Sequence, residues 1–116
     1  MKVSVITATW NSGATLCDTL ESVLSQTYPD IEHVIVDGGS TDNTMELVRE
    51  YEPRYNGKLR YISEPDKGIY DAMNKGVEMA TGDIIGILNS DDFYTAPDTV
   101  ETLIGELEKH LSLIHI

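Results

Sequence analysis

Apolar and polar positions along this 116-residue chain switch repeatedly between two periods. Lys2 to Ala8 passes from alternation into a continuous apolar run and predicts a first strand. Ile31–Val36, Leu59–Ile62 and Asp83–Leu88 predict three more. Between them the spacing becomes helical. Leu16, Leu20, Val23 and Leu24 fall at i, i+4, i+7 and i+8. Met45, Val48 and Tyr51 mark a second helix. Ile69, Met73, Val77 and Ala80 predict the buried face of a third, closed by Gly82. Val100, Leu103, Ile104, Leu107 and Leu111 do the same for a fourth, with Asp98 and Glu101 spaced as a capping box. The order βαβαβαβα predicts an α/β fold, a parallel sheet with helices on both faces. The unbroken run of Ile84 to Leu88 predicts a strand buried on both sides. No repeat or linker divides the chain, so residues 1–116 are read as a single domain.

Charge narrows the function. Eight basic residues stand against 20 acidic, a net charge of −12. Nucleic acid is excluded as a partner, because phosphate backbones select basic surfaces. An anionic nucleotide would need a local positive element or a bridging cation. One cysteine, Cys17, excludes a disulfide framework and a cysteine-rich zinc site, and it is expected on the buried side of the first helix. No apolar run approaches the ~18 residues of a membrane span. The start Met1-Lys2-Val3 enters a strand without a signal peptide, which predicts a cytoplasmic setting.

In a parallel sheet the strand ends share one edge, where ligands bind. The first ends in Thr7-Ala8-Thr9-Trp10-Asn11-Ser12-Gly13, which is neither Gly-x-Gly-x-x-Gly nor a Walker A loop. Trp10 either offers a flat face to a base or packs. The second ends in Asp37-Gly38-Gly39-Ser40-Thr41-Asp42. Asp37 is expected at an exposed strand end, accepting from a ring N–H or a ribose hydroxyl. A tight turn is the alternative. After the third strand, Lys67 is a rare positive charge near a helix N-terminus, free to meet phosphate or only solvent. After the fourth comes Asn89-Ser90-Asp91-Asp92, and a carboxylate pair suits a hard divalent cation that also binds phosphates.

Taken in order, Val3-Ser4-Val5-Ile6 with Trp10-Asn11, Leu24-Ser25-Gln26-Thr27-Tyr28, Val36 to Asp42, Asp66-Lys67-Gly68, Asp71 to Gly76 and Asn89 to Asp92 closely resemble the family 2 glycosyltransferases, which have the GT-A fold. The resemblance runs from residue 2 to about residue 110. It implies the Rossmann-like nucleotide-binding half of that fold and an inverting transfer of a sugar from a nucleotide donor, a UDP-sugar, to a saccharide or lipid-linked acceptor in polysaccharide biosynthesis. By position, Trp10 stands where the family has Tyr against the base, and Ala8 lines the base pocket. Asp37 matches a carboxylate that reads uracil. Asp91 and Asp92 match the DXD-type pair, the first placed for the ribose and the second for Mg2+ or Mn2+. Lys67 lies in the segment lining the nucleotide. The resemblance also implies a localisation in the cytoplasm or at the inner face of the membrane. It puts the acceptor site and the catalytic base, an Asp or Glu, in a second half beyond Leu111. The apolar end Leu113-Ile114-His115-Ile116 is therefore expected to be a cut inside a larger protein.

Two other readings remain. A non-catalytic nucleotide-binding module would share every feature above. A nucleotidyltransferase would want a basic, Gly-rich loop after the first strand, and Thr9 to Gly13 contains no basic residue.

Overall fold

The computed structural model describes residues 1–114, so His115 and Ile116 of the apolar end lie outside the described residues. Strand β2 (Ile31–Asp37) is buried at every position. Strand β1 (Val3–Thr9) pairs along it from Val3↔Ile31 to Thr9↔Asp37, and β3 (Leu59–Ser63) pairs on its other side. Strand β4 (Ile84–Ile87) pairs only with β1. The sheet order is β3-β2-β1-β4, all parallel. The chain builds outward to β3 and then crosses to the far side of β1. Right-handed crossovers therefore place the next helix on the opposite face.

Helices α1 (Leu16–Leu24), α2 (Thr44–Tyr51) and α4 (Thr99–Ile114) cover one face. Leu16, Leu20, Met45, Val48, Val100 and Ile104 pack there on Val3, Val5, Ile31 and Ile35. Helix α3 (Ile69–Met79) lies on the other face, over Ile6, Val34 and Val36. This is the doubly wound, Rossmann-like α/β arrangement the periodicity predicts.

Five expectations are corrected. Helix α4 buries Val100 and Ile104, but Leu103 and Leu107 of its predicted stripe are exposed. Helix α3 does not turn Ile69 and Val77 inward; both are about half exposed, and its buried positions are Ala72 and Gly76. A Cβ at Gly76 would stand 2.4 Å from Ile6 Cγ2, so the helix reaches the sheet through its smallest residues. Strand β4 is an edge, not a strand buried on both faces. Ile85 and Ile87 share the α3 side with Ser4 and Ile6, but α3 sits over β1 and β2 and leaves them exposed. The capping box does not form. Glu101 accepts from the Thr27 hydroxyl, while Gln26 Oε1 accepts from Val100 N. Cys17 is half-buried rather than inside.

Among the described residues the core holds one histidine. His33 is fully buried, with Nε2 2.8 Å from the Thr7 hydroxyl and Nδ1 3.0 Å from the Tyr55 hydroxyl. Tyr55 donates its only proton to Leu20 O. It must therefore accept from His33 Nδ1–H, which fixes the tautomer and makes Nε2 the acceptor for Thr7. Burial pushes His33 from 6.5 down to about 3. Below pH 6.5 the unfolded chain binds a proton that the folded chain refuses. Stability is then full above pH 6.5 and lost as pH falls towards 3. Urea unfolding should register a loss of about 2 kcal/mol between pH 6.5 and 5. The His33→Gln variant should lose most of that slope. A flat wild-type profile over this window would contradict the buried neutral imidazole.

Candidate functional site

The C-terminal ends of the strands open onto a cavity of about 530 Å3. It is lined by Ala8, Thr9 and Trp10 after β1, Gly38 after β2, Asp66 and Gly68 after β3, and Ser90 after β4, with Ile69 and Ala72 of α3 along one wall. All four strand ends contribute. Adjacent strands lie about 4.8 Å apart, so the line from β4 to β3 spans about 14 Å. That suits an extended ligand better than a compact one.

Each loop around the cavity is held by a polar side chain. Asn11, in the left-handed region at φ 48°, accepts at Oδ1 from Thr41 N and Asp42 N. Ser12 N donates to the Thr44 hydroxyl, and Gly13 N donates to Asp42. The β1–α1 and β2–α2 loops are thereby tied to each other. This interlock leaves Trp10 standing out of the protein surface, 68% exposed, beside the cavity.

The expected exposure of Asp37 is corrected. Asp37 has no accessible surface and does not line the cavity. Its Oδ1 accepts from the Thr9 and Ser40 hydroxyls, and its Oδ2 from Gly39 N, Ser40 N and the Ser63 hydroxyl. Five donors fill the lone pairs of one carboxylate. Burial opposes its ionisation, but the Ser40, Thr9 and Ser63 donors outweigh it and hold the carboxyl below the usual range. Asp37 joins the ends of β1, β2 and β3 from within, where a tight polar turn needs an acceptor.

Asp91 and Asp92 are both exposed. Among the described residues nothing donates to Asp91, and Asp92 accepts only from Phe93 N. Their remaining lone pairs fit a hard cation that completes its shell with phosphate and water, and two carboxylates are enough for that role. Among the described residues no group of three or more acidic, His or Cys side chains could hold a metal by itself. Lys67 is exposed next to Asp66, and its backbone N donates to Asp71.

Sequence reading missed what positions the Asp91–Asp92 loop. Thr15 donates to Ser90 O, and the buried Thr19 hydroxyl, one helical turn further on, bridges Ser90 O and Asp92 O. Ser12 donates to the Ser90 hydroxyl. Beyond the loop, Gln26 Nε2 donates to Ala96 O, and Thr27 N donates to Pro97 O. The signal was two threonines at i, i+4, Thr15 just before α1 and Thr19 among its buried apolar positions. The isosteric Thr19→Val variant removes the bridging donor. It is expected to speed amide hydrogen exchange at residues 90–97 more than elsewhere in the chain. Unchanged protection there would show that the hydroxyl does not hold the loop.

The sequence model of the family described as Glycosyl transferase family 2 matches residues 4–114. The chain is 42% identical over 108 residues to a PGL/p-HBAD biosynthesis glycosyltransferase of Mycobacterium tuberculosis, an alignment that covers 90% of this chain and 42% of that protein. Among solved structures, that of Staphylococcus aureus TarS in complex with UDP-GlcNAc superimposes with a TM-score of 0.85 at 29% identity, over 95% of this chain and 32% of that one. The mannosyltransferase PcManGT of Pyrobaculum calidifontis, in complex with GDP-Man and Mn2+, gives 0.80 at 32% identity over 85% and 30%. The chain thus spans about two-fifths of the length of the curated relatives it matches first.

Asp37→Ala is expected to unfold the strand ends rather than blunt a ligand contact. It strands buried donors from three strand ends and should cost at least ~2 kcal/mol in chemical denaturation. An unchanged midpoint would return Asp37 to a purely ligand-facing role.

Proposed function

The chain belongs to the family 2 glycosyltransferases, and from that premise we propose that it is the donor-binding half of an inverting glycosyltransferase that takes a nucleoside-diphosphate sugar, of the UDP type, for polysaccharide biosynthesis. The observation that carries this reading is the single cavity bordered by all four strand ends, with an exposed tryptophan on one side and an exposed carboxylate pair directly after Ser90. Trp10 would stack on the base, and Ala8 would leave room for it. Asp91 would meet the ribose and Asp92 a divalent cation on the diphosphate, with Lys67 close to the same ligand. The cation would neutralise phosphate charge and stabilise charge on the departing diphosphate. Two solved relatives support the donor class, one bound to UDP-GlcNAc and one to GDP-Man with Mn2+.

The acceptor site and the general base are proposed to lie outside these 116 residues. The acidic groups after Asp92 support this. Glu101 is engaged by Thr27, and Glu106 pairs with Lys109 on the outside of α4. An acceptor hydroxyl needs a positioned base for inverting attack. A cytoplasmic setting belongs to the same proposal. Among the described residues no helix is long and apolar enough to cross a membrane.

Calorimetry with UDP is the test. Binding should be weak but measurable with Mn2+ and nearly lost in EDTA, and Asp92→Ala should abolish the difference. Equal affinity with and without the cation would remove the metal from the reading.

A further inference from the structure

The loop that carries Trp10 and the loop that carries Asp91 and Asp92 meet at a pair of hydroxyls. Ser12 is buried after β1, and its Oγ lies 3.0 Å from Ser90 Oγ, just ahead of the two carboxylates. The backbone on each side is pinned. Ser12 N donates to Thr44, and Ser12 O accepts from Thr15 N and Leu16 N. Ser90 O accepts from the Thr15 and Thr19 hydroxyls. What stays free to turn is the two serine protons. Thr15 and Thr19 act on carbonyls, which only accept, so those bonds have one direction. A hydroxyl both donates and accepts, so the Ser12–Ser90 bond can run either way.

Ser12 has one proton and two acceptors within reach. One is Ser90 Oγ and the other is Trp10 O at 3.3 Å, while Trp10 N donates back to Ser12 Oγ. Among the described residues no other donor engages Trp10 O. Given to Ser90, the Ser12 proton leaves Trp10 O bare. Given to Trp10 O, it holds Trp10 at both its N–H and its C=O, and Ser12 Oγ is open to accept from Ser90.

We propose that Ser12 is a positioning residue that carries occupancy of the Asp91–Asp92 pair to Trp10. The inference rests on the donor-binding reading above, for the cation and for the role of Trp10. Hydroxyl dipoles orient in the local field, and a bound cation is the largest charge in such a site. Positive charge on the two carboxylates favours the Ser90 hydroxyl with its oxygen towards the charge and its proton away. Ser90 then donates to Ser12, and Ser12 donates to Trp10 O. Without that charge the pair runs the other way. The Trp10 loop is thus set before a base arrives, and by reciprocity a ligand that fixes Trp10 also favours the cation.

The whole chain, titrated with Mg2+ alone and followed by amide NMR shifts, tests this. In the wild type the amides of Asp91, Asp92 and Trp10 should shift along one saturation curve. The fluorescence of Trp10, the only tryptophan, should change with them. Ser90→Ala leaves both Ser12–Trp10 contacts in place and breaks the relay. Asp91 and Asp92 should still shift there, while Trp10 loses most of its response. Ser12→Ala should lose it in the same way, and Ser90→Thr, which keeps the hydroxyl, should retain it. A merely structural pair would change the melting temperature of the alanine variants and leave the Trp10 response to Mg2+ as it was. Three results would overturn the proposal and leave the donor reading intact: an undiminished Trp10 response in Ser90→Ala, a silent Trp10 in Ser90→Thr, or a wild-type Trp10 that stays still while Asp91 and Asp92 shift. No shift at Asp91 and Asp92 at any Mg2+ concentration would remove the cation from the donor reading, and this inference with it.

Discussion

The ligand edge depends on one buried carboxylate. Here the ends of three parallel strands converge on Asp37. Thr9 comes from β1, Ser63 from β3, and Ser40 with Gly39 from the turn that follows β2. Because the carboxylate is charged and inaccessible, each donor is worth more than a neutral hydrogen bond in water. The loops carrying Trp10 and Asp66 therefore start from fixed points. A site for an extended ligand needs this, since its contacts come from separate loops that must agree in position.

A second set of bonds fixes the carboxylate pair. Thr15 and Thr19 hold carbonyls of the Asp91–Asp92 loop, and Gln26 holds the segment that returns to α4. These bonds use backbone acceptors and leave the two aspartate side chains free. Rigid backbone with open side chains is what a partial metal shell requires, because the cation must still accept phosphate and water. The helix that buries Leu16 and Leu20 in the core thus also sets the Asp91–Asp92 loop, linking core packing to the proposed chemistry.

Strand and helix order was legible because periods of two and 3.6 survive in short segments. Strand burial was less so. An apolar run such as Ile84 to Leu88 is the same in sequence whether a strand lies at the centre or the edge, and only the crossover to the far side of β1 decides it. The face of α3 was misread because close helix–sheet approach uses Gly76 and Ala72, which carry no apolar signal, while Ile69 and Val77 do. In the site, Ala8, Trp10, Asp91 and Asp92 could be placed near the ligand edge because they end strands. Asp37 also ends a strand, but a carboxylate looks alike in sequence whether it faces a ligand or its own backbone. Thr9 and Ser63 on the neighbouring strands donate to it together with Gly39 and Ser40 of its own turn, and only the last two stand near it in sequence.

Strand β2 carries three buried ionisable groups, and the way each is accommodated explains the electrostatics of the site. Glu32, at the end away from the ligand, accepts from Ser4 and Thr81 and has Lys2 and Arg60 close by. His33 stays neutral between two hydroxyls. Asp37, at the ligand end, is held only by hydroxyl and N–H groups, with no basic side chain. The few cations of an acidic chain are thus spent partly on the wrong end of the sheet for a phosphate. Dipoles can solvate a buried carboxylate but add no net positive charge to the cavity. Among the described residues no basic side chain lines the cavity, so the field at the ligand edge stays negative. An anionic donor can then settle there only by bringing positive charge from solution, and exposed Asp91 and Asp92 are where a divalent cation would be held.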